Sequence, residues 1–210
     1  MEAEKVKVLL TGFGPFLDVK VNPAWEIVSR LPSTLDNTYP PIEIVTQQEP
    51  LNAAYHDIAA TIPTLIEQHN PDVVILVGCA MERTYFAVEK GAFRDGYHQF
   101  PDVARKVITK AESKKLWSKS PDRLDSGIDI ESVVAGWKSK VGKAVDVRGS
   151  NDVGEYVCGF AYYVGLEHEW KLGKPRNVLF YHVPPLDEHG KTDKGNEVTI
   201  GLIKTVAEHL

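Results

Sequence analysis

Residues 72–80 read DVVILVGCA, an aliphatic run with no polar interruption before its glycine. A strand with one wet face alternates apolar and polar residues. One that is apolar at every position has to be covered on both faces. That requirement calls for a layer on each side of a sheet, and the rest of the chain supplies helices for both. KVKVLLTGF (5–13), IEIVTQQEP (42–50), RTYFAVEKGAF (83–93), KAVDVRGS (143–150) and RNVLFYHVPP (176–185) read as further strands. In RTYFAVEKGAF, Tyr85, Ala87 and Glu89 alternate with Phe86 and Val88.

Helical spacing fills the intervals. NPAWEIVSRLP places Trp25, Val28 and Leu31 on one face and stops at Pro32; LNAAYHDIAATIPTLIEQHN is helical with an expected kink or restart at Pro63. IESVVAGWKSK follows Asp129 as N-cap, and GEYVCGFAYYVGLEHEW forms the next helix. The last carries Val198, Leu202, Ile203 and Val206 as one stripe. Alternating strands and helices imply an α/β protein, a three-layer α/β/α sandwich around a mostly parallel or mixed sheet. At 210 residues the chain suits one domain, 1–210. Residues 94–127 are polar, with the turn pairs Asp95-Gly96, Ser120-Pro121 and Ser126-Gly127, and read as an irregular surface excursion.

The formal net charge of −5 argues against a nucleic-acid partner, because phosphate binding favours a concentrated positive surface. No stretch approaches the roughly 20 apolar residues of a membrane span, and the start of the chain lacks a signal-peptide pattern. Two cysteines, Cys79 and Cys158, make no disulfide framework and suit a reducing cytoplasm. Scattered histidines without HExxH or paired-cysteine spacing imply no metal and no other cofactor.

In an open α/β sheet, sites form where strands give way to loops. Glu89 ends one strand, Cys158 opens a helix and His182 closes VLFYH. A thiolate attacks carbonyl carbon, and a helix N-terminus favours the anion. A histidine takes the thiol proton and returns it to a leaving amine; a carboxylate on its other nitrogen fixes the tautomer. The same residues admit a plainer account: Cys158 as a small buried hydrophobe, His182 as a bonded sheet-end histidine, Glu89 as a solvated charge beside Lys90. GFGPF is neither GxGxxG nor followed by GK[ST], so it carries no phosphate-loop signal.

Taken in order, KVLLTGFGPF with VNPAWEIV, VVILVGCAMERTYFAVEKGAF, SNDVGEYVCGFAYY and FYHVPPL resemble the pyroglutamyl peptidase I family, the Glu block being more like its eukaryotic members. These are intracellular cysteine peptidases that release an N-terminal pyroglutamyl residue. The resemblance implies Cys158 as nucleophile, His182 as general base and Glu89 as its orienting acid. It also implies a pyroglutamyl ring lying against Phe13 and Phe16, with Asn22 and the backbone at Cys79 and Val157 as polar contacts. The competing account keeps both phenylalanines in the core and leaves Asn22 as a helix cap. Where bacterial members carry glutamine this chain has Cys79, and Arg94 is the nearest candidate for an arginine at the oxyanion. An inactive relative that binds pyroglutamyl peptides, or an α/β protein handling nucleosides, are the readings from other classes.

Overall fold

The computed structural model describes residues 4–16, 19–186 and 191–210, with the side chain of Lys191 excepted. Its strands are β1 (Val6–Gly12), β2 (Thr34–Leu35), β3 (Ile42–Thr46), β4 (Val73–Cys79), β5 (Phe86–Glu89), β6 (Gly91–Phe93), β7 (Arg123–Asp125), β8 (Val147–Ser150) and β9 (Val178–Val183). The helices are α1 (Pro23–Val28), α2 (Tyr55–His69), α3 (Lys110–Trp117), α4 (Ile130–Val141), α5 (Val157–Lys171) and α6 (Lys191–Ala207). Among the described residues, seven strands form the main sheet in the order β2-β3-β1-β4-β9-β5-β8. Most neighbours run parallel; the short edge strand β2 is antiparallel to β3, and β5 is antiparallel to β9. The sheet is therefore mixed, as the pattern allowed.

Every residue of β4 is buried. Its alternation divides the core in two. Val73, Ile75 and Val77 meet side chains of α1, α4 and α6, while Val74 and Leu76 meet those of α2 and α5. The stripe Val198, Leu202, Ile203 and Val206 lies on α6 and is fully buried in the first of these layers.

Local chemistry sets most helix ends. Asn22 Oδ1 accepts from the Ala24 N–H, with Pro23 in the first turn, where its missing N–H costs nothing. Asp129 Oδ1 accepts from the N–H groups of Glu131 and Ser132 to open α4. Two expectations change. α1 stops at Val28 and buries Pro23, Ala24, Ile27 and Val28, so the apolar face is shifted from the one traced through Trp25 and Leu31. α2 runs unbroken through Pro63, held to the sheet by buried Ile58, Ile62 and Ile66.

The stretch 83–93 is not one strand. β5 joins the main sheet, and after Lys90 the chain leaves it, so that β6 pairs with β7 instead. Residues 94–127 are also more ordered than their polarity implied. Thr109 and Glu112 form a reciprocal capping box that starts α3. Tyr97, Ile108, Trp117 and Leu124 are buried, and the rings of Tyr97 and Trp117 lie 5.2 and 5.5 Å from that of Phe160 on α5. The apolar anchors are spaced too widely to register as a periodic pattern.

Candidate active site

Three adjacent strands and one helix start build the site. Gly78 of β4 is in register with His182 of β9, and Glu89 of β5 lies opposite Phe180 of β9. Phe180 and His182, two residues apart, share a face, which is the one that α5 covers. A Cβ added at Gly78 would lie 3.0 Å from Cys158 Sγ and 2.8 Å from Phe180 Cζ. The missing side chain at Gly78 is therefore the space into which the thiol is lowered, one strand spacing from the imidazole.

Glu89 is fully buried and His182 nearly so. His182 Nδ1 and Glu89 Oε1 are 2.8 Å apart. Burial raises the Glu89 carboxyl, but the hydrogen bond and charge of His182, with hydrogen bonds from Ser150 and Arg83, outweigh it and leave it below the usual range. An ionised carboxylate only accepts, so Nδ1 carries the proton and Nε2 is the nitrogen left to act as base. Arg83 Nη1 donates to the same Glu89 oxygen at 2.6 Å, and Arg83 Nη2 donates to the Asp152 carbonyl at 2.6 Å.

Cys158 is the second residue of α5, and no side chain caps that helix. Its first backbone N–H groups are thus not competed for by a cap, the arrangement an oxyanion needs. The expected lowering of the thiol does not prevail. Burial, then the charges of Cys79 and Glu89, push Cys158 up to about 12, with Arg83 pulling weakly the other way. Cys158 rests as a thiol, and to act as a nucleophile it would have to surrender its proton.

An open cavity of about 310 Å³ adjoins these groups; Phe16, Cys79, Arg83, Tyr156, Cys158 and His182 are on its wall. Of the residues singled out in the sequence, Cys158, His182, Glu89, Cys79 and Phe16 come together here. Val157 is the buried first residue of α5. Cys79 Sγ packs against Met81 Sδ at 3.6 Å. Phe13 is 2% exposed and packs on Phe180 in the core, away from the cavity wall. Asn22 caps α1 and donates from Nδ2 to the Gly14 carbonyl at 2.8 Å, so both ends of its amide are engaged in shaping the 12–16 loop.

Arg94 does not join them. Its guanidinium is held by Asp95, Asp122 and the Ser120 carbonyl, and it lines a different cavity with Lys110 and Trp117. Nearness to Glu89 in sequence misleads because the chain leaves the main sheet between them. The arginine at the site is Arg83, six residues before Glu89, in a loop that offers no pattern to mark it. Tyr156, two residues before Cys158, was likewise missed.

The profile of a family described as pyroglutamyl peptidase matches residues 6–207. A pyrrolidone-carboxylate peptidase of Thermococcus onnurineus is 32% identical over 87% of this chain and 86% of its own length. Pyroglutamyl-peptidase 1 of Rattus norvegicus is 31% identical over 92% of this chain and 86% of its own. The crystal structure of pyroglutamyl peptidase I from Bacillus amyloliquefaciens superposes with a TM-score of 0.78 at 27% identity, covering 98% of each chain.

Proposed function

The chain belongs to the pyroglutamyl peptidase family, and from that premise we infer that it is a cysteine-type omega peptidase hydrolysing the amide after an N-terminal pyroglutamyl residue. The observation that carries the mechanism is the Glu89–His182 contact beside a thiol seated over Gly78. As substrate enters, His182 Nε2 takes the Cys158 proton while Sγ attacks the exocyclic carbonyl carbon of pyroglutamate. The tetrahedral oxyanion is held by N–H groups at the start of α5. Collapse breaks the C–N bond, and the proton on His182 leaves with the amine. Water, deprotonated by the same histidine, then hydrolyses the thioester to free pyroglutamate and the restored thiol. Glu89 keeps Nδ1 protonated and stabilises the imidazolium formed in each half.

A small, flat, uncharged lactam suits a cavity of this size with an aromatic side such as Phe16. The family's contact at Phe13 would act from behind, by packing, and that of Asn22 by shaping the loop; Cys79 and Val157 would offer backbone groups. We place the activity in one domain acting in the cytoplasm, where both thiols stay reduced. Among the described residues no helix is long and apolar enough to cross a membrane.

The test is release of the fluorophore from a pyroglutamyl-aminocoumarin amide under reducing conditions. The wild type should turn over, Cys158→Ala should be inert, and Cys79→Ala should keep most of the activity. An inactive wild type removes the enzyme reading, and equal loss in both variants removes the assignment of the nucleophile.

A further inference from the structure

Arg83 is buried beyond what a surface arginine needs, with its side chain 10% exposed, and its two terminal nitrogens hold different parts of the site. Nη1 bonds the Glu89 carboxylate and Nη2 bonds the carbonyl of Asp152, each at 2.6 Å. Asp152 lies in the turn between β8 and α5. That turn is close-fitted to the helix start: a Cβ on Gly159 would fall 2.1 Å from the Gly154 carbonyl. Displacing the turn therefore displaces Cys158. The guanidinium itself is backed by the Tyr85 ring, 5.7 Å from its carbon.

We propose that Arg83 is a positioning residue for the hydrolysis, a rigid bridge tying the acid that orients His182 to the turn that seats Cys158. The inference rests on the peptidase reading above. A planar fork with two donors suits the task, because it spans two acceptors at a fixed separation and stays charged at any working pH. A lysine has a single donor atom and cannot hold two acceptors at the separation of the two terminal guanidinium nitrogens. By placing a permanent cation on Glu89, Arg83 also keeps that buried carboxylate ionised while His182 is neutral, before it takes the thiol proton and again between the two half-reactions.

The experiment compares Arg83→Met, Arg83→Lys and Arg83→Ala with the wild type on the aminocoumarin substrate, alongside Glu89→Gln with and without Arg83→Met. Arg83→Met should lower kcat by about 10- to 100-fold with little change in KM, the scale of a small misplacement of reacting groups. Arg83→Lys should fall between, and methylguanidine, but not methylamine, should restore part of the activity of Arg83→Ala. The losses from Arg83→Met and Glu89→Gln should combine to less than their product. A kcat within twofold of wild type in both Arg83→Met and Arg83→Lys overturns the proposal, as does a fully multiplicative double variant. Thermal melts identify any variant that fails to fold, in which case Arg83→Lys, which keeps the buried charge, is the one read. If the wild type itself is inactive, the peptidase reading has failed separately. The bridge is then read from iodoacetamide alkylation of Cys158, which Arg83→Met should slow and which an unchanged rate would contradict.

Discussion

A thiol raised to about 12 is almost wholly protonated at neutral pH, so in the proposed mechanism Cys158 depends on His182 for every turnover. The sign is that of an acid whose charged form is penalised by burial: below pH 9 the folded protein carries less thiolate than a solvated cysteine would. Alkylation of Cys158 by iodoacetamide, followed in Cys79→Ala to isolate one thiol, should therefore keep climbing from pH 7 to beyond pH 10. A plateau near pH 7 would mean a preformed thiolate and contradict the burial argument. Glu89→Gln removes the negative charge that fixes the tautomer and stabilises the imidazolium, and kcat should fall by about 10²- to 10⁴-fold, with KM affected less. At this scale the sequence located the three groups of the proposed mechanism better than the residues around them. Cys158, His182 and Glu89 stand at strand and helix ends, which a one-dimensional pattern can locate. Arg83 could not be separated from Arg94, because what distinguishes them is the direction the chain takes at Lys90. Asn22 was visible as a cap, yet its second bond, to Gly14, is a tertiary fact.

Among the elements, α5 has two duties, and they show in its composition. The residues after Cys158 are buried aromatics: Phe160, Tyr162 and Tyr163 pack on the sheet and under α3. Tyr162 Oη donates to the Glu89 carbonyl at 3.0 Å, so the helix that carries Cys158 also grips the strand that carries Glu89. Most of the strands and helices were legible because their apolar spacing is regular; the β5–β6 division was not, because the alternation runs on while the pairing partner changes. Helix propensity makes a sharp test at Gly159. Alanine favours a helix over glycine by about 1 kcal/mol, but here its Cβ would lie 2.1 Å from the Gly154 carbonyl. Gly159→Ala should therefore destabilise by about 1–3 kcal/mol, the range for overpacking, and should lower kcat by pushing the helix start from its turn. Chemical denaturation and the aminocoumarin assay read both effects. A stabilised, fully active variant would show that the close fit is not required.

For the whole molecule, the two core layers impose a pH window on stability. Glu89 has a folded pKa below its unfolded value of 4.5, so the stability it contributes is present above that value and is lost as pH falls through the folded one. Glu169 works in the opposite sense: burial raises it, against the pull of Lys174 and His168, so it weakens the fold as pH rises past 4.5. Asp95, Glu112, Asp129 and Asp146 are lowered like Glu89, but they lie largely in solvent, which screens what they contribute, so the acid limb is the shallower one. On the alkaline side the phenols agree. Tyr55, Tyr97, Tyr162, Tyr163 and Tyr181 are all raised above 10.0, burial being the leading cause in each. A raised acid contributes stability in full below its unfolded pKa and loses it as pH climbs toward the folded value, so these five act together above pH 10. Thermal melts from pH 3 to 11 should show a plateau with a mild fall below about pH 5 and a steep fall above about pH 10. Tyr181 lies in the layer with Trp137, and its hydroxyl is 3.3 Å from that of Thr199. Tyr181→Phe should lower the plateau by about 1 kcal/mol for the lost bond and make the alkaline fall less steep, because one buried phenol no longer ionises on unfolding. A melting temperature constant from pH 9 to 11 in the wild type would overturn the account, since no arrangement of buried neutral phenols is indifferent to their ionisation in the unfolded chain.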